Sequence, residues 1–254
     1  MIQALEEIAA TLDEAMRTAR AVPQRGEALT VAQAYDIQGA LLARRYARGE
    51  RRIGVKMGFT SRAKMAQMGL NEMIWGRITD GMLIEAGSAV SRSRFVHPRV
   101  EPEVAFLLSR PLAGRIDAMT AAAAVEAVAP ALELIDSRYE NFKFSLTDVI
   151  ADNSSASALV VGAWADPKTD LSNLGLVMSI DGAPRQIGST AAILGNPLFS
   201  LVAAARLVAE HGERLNAGDI VMAGGATAAE ALNAGNHITL SVERLGTVSF
   251  SMGT

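Results

Sequence analysis

His97-Pro98-Arg99-Val100-Glu101-Pro102-Glu103-Val104-Ala105-Phe106-Leu107-Leu108 places two carboxylates one position apart at the head of an apolar run. Side chains alternate between the faces of a strand, so Glu101 and Glu103 project from one face and Pro102 from the other. An isolated Glu-x-Glu is commonly the wet face of an amphipathic strand. Here Val104 to Leu108 continue the pair as a buried type of run. A third carboxylate, Glu133, stands inside Ala131-Leu132-Glu133-Leu134-Ile135, which reads as another buried strand. A carboxylate in such a setting needs a partner, or it takes up a proton. Two kinds of partner fit the three residues: a hard divalent cation, magnesium or manganese, which is the simpler, or ion pairs with arginine. Pro102 removes a backbone donor, which suits an edge strand or a bulge and not a central strand.

Leu5, Ile8, Leu12 and Met16 recur at helical spacing, and Thr30-Val31-Ala32-Gln33 has the form of a capping box that opens a second helix, with Gly49 as its stop. The texture then changes to short strands and turns. Strands are expected at Ile53 to Met57, Phe95 to Leu108, around Glu133, at Ala158 to Trp164, Leu176 to Ile180, Asp219 to Ala223 and His237 to Val242. Val248 to Met252 is expected to close a hairpin with the last of these. Helices are expected at Ser61 to Met68, Leu198 to Glu210 and Ala121 to Ala129, where Pro130 separates the helix from the Glu133 strand. Many strands with few crossover helices argue against a doubly wound nucleotide-binding sheet, and neither a GxGxxG fingerprint nor a Walker loop occurs.

The chain has 254 residues, 50% hydrophobic and 20% charged, with a formal net charge of -3. That mild acidity, with no basic block interleaved with aromatics, gives no support to a nucleic-acid partner. Cysteine is absent, which excludes disulfides and thiolate metal sites. The alanine-rich stretch Ala121 to Ile135 is broken by Glu126, Pro130 and Glu133, so it is not a membrane span. The first residues carry neither the basic cluster nor the apolar core of a signal peptide. The expectation is a soluble, cytoplasmic protein without a membrane partner.

Several segments, in order, carry a resemblance: Val55-Lys56-Met57-Gly58-Phe59-Thr60-Ser61, Trp75-Gly76-Arg77-Ile78-Thr79-Asp80, the acidic pair after His97-Pro98, Glu133-Leu134-Ile135-Asp136-Ser137-Arg138-Tyr139, Ala151-Asp152-Asn153-Ser154-Ser155, Leu194-Gly195-Asn196-Pro197 and Ala223-Gly224-Gly225-Ala226-Thr227. The chain resembles the hydratase and decarboxylase branch of the fumarylacetoacetate hydrolase superfamily from Gly54 to Val248. The resemblance implies an α+β fold, a mixed β-sheet roll with an N-terminal helical region. It divides the chain into a helical and lid region at 1–80 and a β-rich catalytic core at 81–254. It makes Glu101, Glu103 and Glu133 ligands of Mg2+ or Mn2+, Lys56 and Asp80 catalytic, and Asn153 and Ser155 a polar wall. Gly224, Gly225 and Thr227 are expected to meet the substrate carboxylate with backbone donors. Charge balance against a dianionic substrate asks for positive side chains, with Lys56 first and Arg62, Arg77 or Arg138 to help hold the distal carboxylate.

The activity it implies is metal-dependent decarboxylation of a 2-oxo dicarboxylate, 2-oxo-3-hexenedioate, to 2-hydroxypenta-2,4-dienoate and CO2 in catechol meta-cleavage. The other activities to weigh are hydration of 2-oxopent-4-enoate and a non-catalytic, metal-binding partner subunit. The resemblance also implies a homo-oligomer and a complex with the pathway hydratase.

Overall fold

The computed structural model describes residues 2–24, 29–61, 65 and 72–254. The expected helix at Ser61 to Met68, and Arg62 within it, lie outside the described residues apart from Ser61 and Met65. The apolar stripe of the N-terminus runs along α1 (Ile2–Thr18), whose Ile8, Ala9, Leu12 and Ala15 are buried. The capping box opens α2 (Val31–Ala47): Gln33 N–H donates to the Thr30 hydroxyl, and Thr30 N–H donates to the Gln33 side chain. One buried carboxylate joins the two helices. Asp13 on α1 accepts from Arg44 Nε at 3.1 Å and from Arg48 at 2.8 and 2.6 Å.

The chain continues through β1 (Arg52–Gly58), β2 (Ile74–Thr79), β3 (Leu83–Ile84), β4 (Ala89–Ser91), β5 (Arg99–Leu108), the short helix α3 (Ala118–Ala123) and β6 (Val125–Ile135). Then come α4 (Leu146–Ala151), β7 (Ala156–Val161), β8 (Gly175–Ile180), β9 (Ala183–Ser189), α5 (Pro197–Glu210), β10 (Ile220–Met222), β11 (Glu230–Ala231), β12 (His237–Val242) and β13 (Gly246–Gly253). Among the described residues they form an eight-stranded sheet, ordered β2-β1-β10-β5-β6-β7-β3 with β11 beside β5, and a five-stranded sheet, β4-β13-β12-β8-β9. Both sheets mix parallel and antiparallel pairs. β1 and β2, inside the stretch 1–80, are thus hydrogen-bonded into the large sheet.

β2 and β3 are the two outer strands of that sheet, yet only the 3-10 turn Asp80–Met82 joins them. So short a link forces the sheet to curl until its edges meet. The outer face, with Val55, Val104, Phe106, Leu132, Leu134 and Val221, packs into the main core with the helices and the second sheet. The inner face carries a smaller apolar plug of Ile78, Met82, Ala105, Ala131, Ala156, Leu159 and Met222. Alternation along β5 and β6 therefore puts Glu101, Glu103 and Glu133 on the inner face, beside this plug.

Two prolines depart from expectation. Pro130 does not end a helix: α3 stops at Ala123, and β6 runs straight through the proline. The Pro130 carbonyl accepts from Gly162 N–H at 2.9 Å, so the missing donor points toward β7, just past its end at Val161. Pro102 lies in a central strand, between β6 and the β10 side, and not at an edge. Its carbonyl accepts from Ala226 N–H at 2.9 Å, so its missing donor falls in the gap between β10 and β11, where no ladder bond is lost.

The α5 segment has the length and composition of a membrane span within Thr190–Glu210, but 56% of that window is buried inside the fold. Its Leu201, Ala204, Ala205, Leu207 and Val208 belong to the core.

Candidate active site

Register assembles the site. Glu101 on β5 stands directly opposite Glu133 on β6, and Glu103 opposite Ala131. One carboxylate oxygen from each of the three glutamates lies within 4.8 Å of the others, with Glu103 and Glu133 buried. Lys56 reaches them from β1, where it pairs with Met222 on β10, which in turn pairs with Ala105. Its ammonium is 3.1 Å from Glu133 Oε1 and donates to the Ser154 carbonyl at 3.0 Å. An ammonium has three donors, so one N–H remains for a ligand.

Among the described residues, one lysine faces the three carboxylates. Burial first, then the charge of Glu133, holds Glu103 well above the usual carboxylate range. Burial alone would pull Lys56 down, but Glu133, Glu103 and Glu101 together outweigh it and raise the ammonium. Glu103 Oε1 and Glu133 Oε2 are buried and have no hydrogen-bond partner among the described residues. Three hard oxygen donors, two of them with an orphaned buried oxygen, fit a small divalent cation of the magnesium or manganese type.

Two backbone segments hold the cluster. After β10 the loop 223–226 continues along β5: Ala223 N–H donates to Val104 O at 3.0 Å, and Gly224 N–H donates to Glu103 Oε2 at 2.8 Å. Gly224 has φ +98°, and a Cβ on Gly225 would stand 2.9–3.2 Å from the Glu101 carboxylate. Glycine is needed at both positions for the loop to lie against the glutamates. Of the glycines expected as donors to substrate, Gly224 gives its N–H to Glu103. Thr227 Oγ1 donates to the Ala228 carbonyl at 3.2 Å.

The second segment is the turn Asn153–Ser155, three successive non-glycine residues with φ of 50, 52 and 59°. Left-handed backbone at such residues costs about 1–3 kcal/mol each and persists only where surroundings hold it. Here they do. Asn153 mimics a strand partner, accepting from Arg77 N–H at 2.8 Å and donating to Arg77 O at 2.9 Å, and Ser154 Oγ donates to Trp75 O at 2.7 Å. A Cβ on Gly76 would lie 2.4 Å from Asn153 O, so only glycine lets the turn seat against β2. Ser154 thereby presents its carbonyl to Lys56. Ser155 Oγ is buried without a partner among the described residues.

Asp80 is not brought to the cluster, and Arg138 and Arg77 are engaged by other partners. Asp80 sits at the far end of β1 and β2, where it accepts from Arg51 N–H at 3.0 Å; that backbone bond and the Arg51 side chain lower its carboxyl. Lys56 lies four residues further along β1 than Arg52, the partner of Thr79, so strand rise separates Asp80 from it by over about 13 Å. Arg138 is wholly buried and already engaged: its Nε pairs with Asp152, one Nη donates to Asp152 O and the other to Ser157 Oγ, each at 2.6 Å. Burial pushes Asp152 up to about 6 against the pull of Arg138. Arg77 is likewise engaged, with Glu213 and with Gln38 Oε1. The residues missed by sequence were Ser154 and Gly224 as holders of Lys56 and Glu103. Backbone groups leave no side-chain signature, although the adjoining glycines hinted at close approach.

Residues 53–252 match the family described as fumarylacetoacetate (FAA) hydrolase C-terminal. The chain is 55% identical to a 4-oxalocrotonate decarboxylase of Pseudomonas sp, over 97% of both chains. It is 34% identical to a 2-hydroxyhexa-2,4-dienoate hydratase of Comamonas testosteroni, over 94% of this chain and 93% of that one. Among solved structures it resembles a 4-oxalocrotonate decarboxylase from Pseudomonas putida G7 complexed with magnesium and adipate, with TM-score 0.96 and 37% identity over 99% of this chain and 98% of that one. With the match spanning both strands of the triad, the Lys56 strand and the 223–226 loop, the chain belongs to the fumarylacetoacetate hydrolase family.

Proposed function

We propose that this chain is a carboxy-lyase that converts 2-oxo-3-hexenedioate (4-oxalocrotonate) to 2-hydroxypenta-2,4-dienoate and CO2 with a divalent cation, Mg2+ or Mn2+, in catechol meta-cleavage. The observation that carries this over hydration is the identity gap: 55% to a decarboxylase against 34% to a hydratase, each over almost the whole chain. The glutamate triad and Lys56 supply the chemistry either reaction needs.

Glu101, Glu103 and Glu133 would hold the cation, which supplies Lewis-acid polarisation of a 2-oxo acid when bound. The rest falls to the chain's own groups. When the distal carboxylate leaves as CO2, its bonding pair passes through the conjugated double bond toward the C2 oxygen, negative charge develops there, and that oxygen takes a proton drawn from solvent to become the 2-hydroxy group. Lys56, fixed by Glu133 and Ser154 O, has one N–H left to donate to that oxygen. The buried apolar plug beside the triad excludes water from one side of the inner face, which strengthens that hydrogen bond and disfavours water addition.

Incubating the Mg2+-loaded protein with 2-oxo-3-hexenedioate and measuring CO2 is the direct test. Stoichiometric CO2 is expected. Water addition to 2-hydroxypenta-2,4-dienoate without CO2 release from the dicarboxylate would overturn the proposal in favour of the hydratase. Self-association, a complex with the pathway hydratase and a cytoplasmic location belong to the same proposal, and co-purification with sedimentation analysis tests the first two.

A further inference from the structure

A dicarboxylate substrate brings a second negative charge that the glutamate cluster does not hold, and the described arginines on the elements around the triad fall into two groups. Arg77 and Arg138 are engaged as above, and Arg92 donates to the carbonyls of Phe95 at 2.7 Å and Val96 at 3.1 Å. Arg99 differs. It precedes Glu101 by two residues on β5 and so shares its face. Half-buried, its side chain makes no hydrogen bond or ion pair with a described residue; its guanidinium stands 4.1 Å over the Phe142 ring. Phe142 is itself set by left-handed backbone, with φ of 58° at Asn141 and 56° at Phe142, and His97 packs edge-on against it at 6.4 Å.

Arg99, His97, Asn141, Phe142 and Asn233 line a cavity of about 370 Å3. His97 Nε2, buried and without a partner among the described residues, is a second polar group there that lacks a protein ligand. Strand rise puts the Arg99 backbone about 7 Å from that of Glu101. A six-carbon dicarboxylate spans about 6 Å between its carboxyl carbons. A ligand anchored by its 2-oxo end at the triad thus extends to the level of Arg99.

We propose that Arg99, stacked on Phe142, receives the distal carboxylate of the substrate and makes the site select a dicarboxylate over a 2-oxo monocarboxylate. Stacking occupies the face of the guanidinium and leaves its edge N–H groups free for bidentate contact with a carboxylate. Phe142 is then a positioning residue for Arg99. The inference rests on the proposed function, which places the 2-oxo end at the glutamates.

The test is calorimetric titration of Mg2+-loaded protein with adipate, which has two separated carboxylates, and with oxalate, which mimics only the metal-chelating end. In Arg99→Met, adipate affinity is expected to fall about 10- to 100-fold while oxalate affinity holds. Arg99→Lys is expected to be intermediate for adipate. With 2-oxo-3-hexenedioate, KM is expected to rise more than kcat falls. Unchanged adipate affinity in Arg99→Met overturns the proposal. So does an equal loss of both ligands, which marks a general disturbance of the site; Mg2+ binding and circular dichroism identify a misfolded variant, and Arg99→Lys then decides by the same criterion. If the wild type binds neither ligand in a Mg2+-dependent way, the functional reading itself fails, and this inference with it.

Discussion

Glu103 is buried, accepts a hydrogen bond from Gly224 N–H, and faces two other carboxylates, with Lys56 the ammonium beside them among the described residues. Such a site is arranged for a bound cation and is unfavourable without one. A carboxyl whose folded pKa is raised takes up a proton on folding, so its penalty grows as pH rises from the unfolded value toward the folded one. Glu103→Gln removes that penalty while keeping an oxygen for Gly224 and adding donors for the neighbouring carboxylates. In chelator, the variant is expected to melt higher than the wild type, by about 1–2 kcal/mol or ~2–8 °C, and by more at pH 8 than at pH 5. Its Mg2+-dependent turnover is expected to be lost. Calorimetric melts at both pH values check the first statement; a lower midpoint for the variant at pH 8 contradicts it.

The helical layer docks through one carboxylate, and the consequence belongs to α1 and α2 as a pair. Burial would raise Asp13, but the guanidinium groups of Arg48 and Arg44 hold it below the usual carboxylate range. A depressed folded pKa contributes stability above the unfolded value and loses it as pH falls through the folded one. Both arginines are more than two-fifths exposed, so the net contribution is modest, about 1 kcal/mol. Asp13→Asn is therefore expected to lower the thermal midpoint by a few degrees at neutral pH, with the gap closing below about pH 4. A constant gap from pH 7 to 3 would count against it. These helices were legible from their apolar spacing and capping box, and β12 keeps its expected bounds because Ile238, Leu240 and Val242 alternate cleanly. β9 was not. Its side chains are mostly exposed, so no apolar alternation marks it, and only Asp181-Gly182, with φ of 54 and 77°, signals the hairpin before it. The Ala121–Ala129 run was ambiguous for the opposite reason, being apolar at every position but Glu126 and so matching helix and strand periods alike. The triad was legible because charge inside apolar runs demands a partner. Arg138 and Asp80 were not placed, since what engages them, Asp152 and Arg51, is set by tertiary packing and strand register.

Across the whole molecule, the triad and Lys56 join three strands that are distant in sequence, at the mouth of a sheet whose edges are closed by Asp80–Met82 and the Asn153–Ser155 turn. A cation held as proposed by Glu101, Glu103 and Glu133 would tie β5 to β6 and relieve the repulsion between their carboxylates. Because the unfolded chain has no such cluster, an ion so held would bind the folded state alone and stabilise it by mass action. At a Mg2+ concentration 100 times its Kd the gain is about 2.7 kcal/mol, and for a chain of this length each kcal/mol moves the midpoint by about 2–4 °C. The wild type is thus expected to melt roughly 5–10 °C higher in saturating Mg2+ than in chelator. Glu133→Gln breaks both the ligand set and the Lys56 pair, so its midpoint is expected to be insensitive to Mg2+ and lower than the wild type in chelator, where Lys56 is left buried without its nearest counter-charge. A Mg2+ shift of the same size in both proteins would place the stabilising ion elsewhere on the molecule and detach the triad from metal binding.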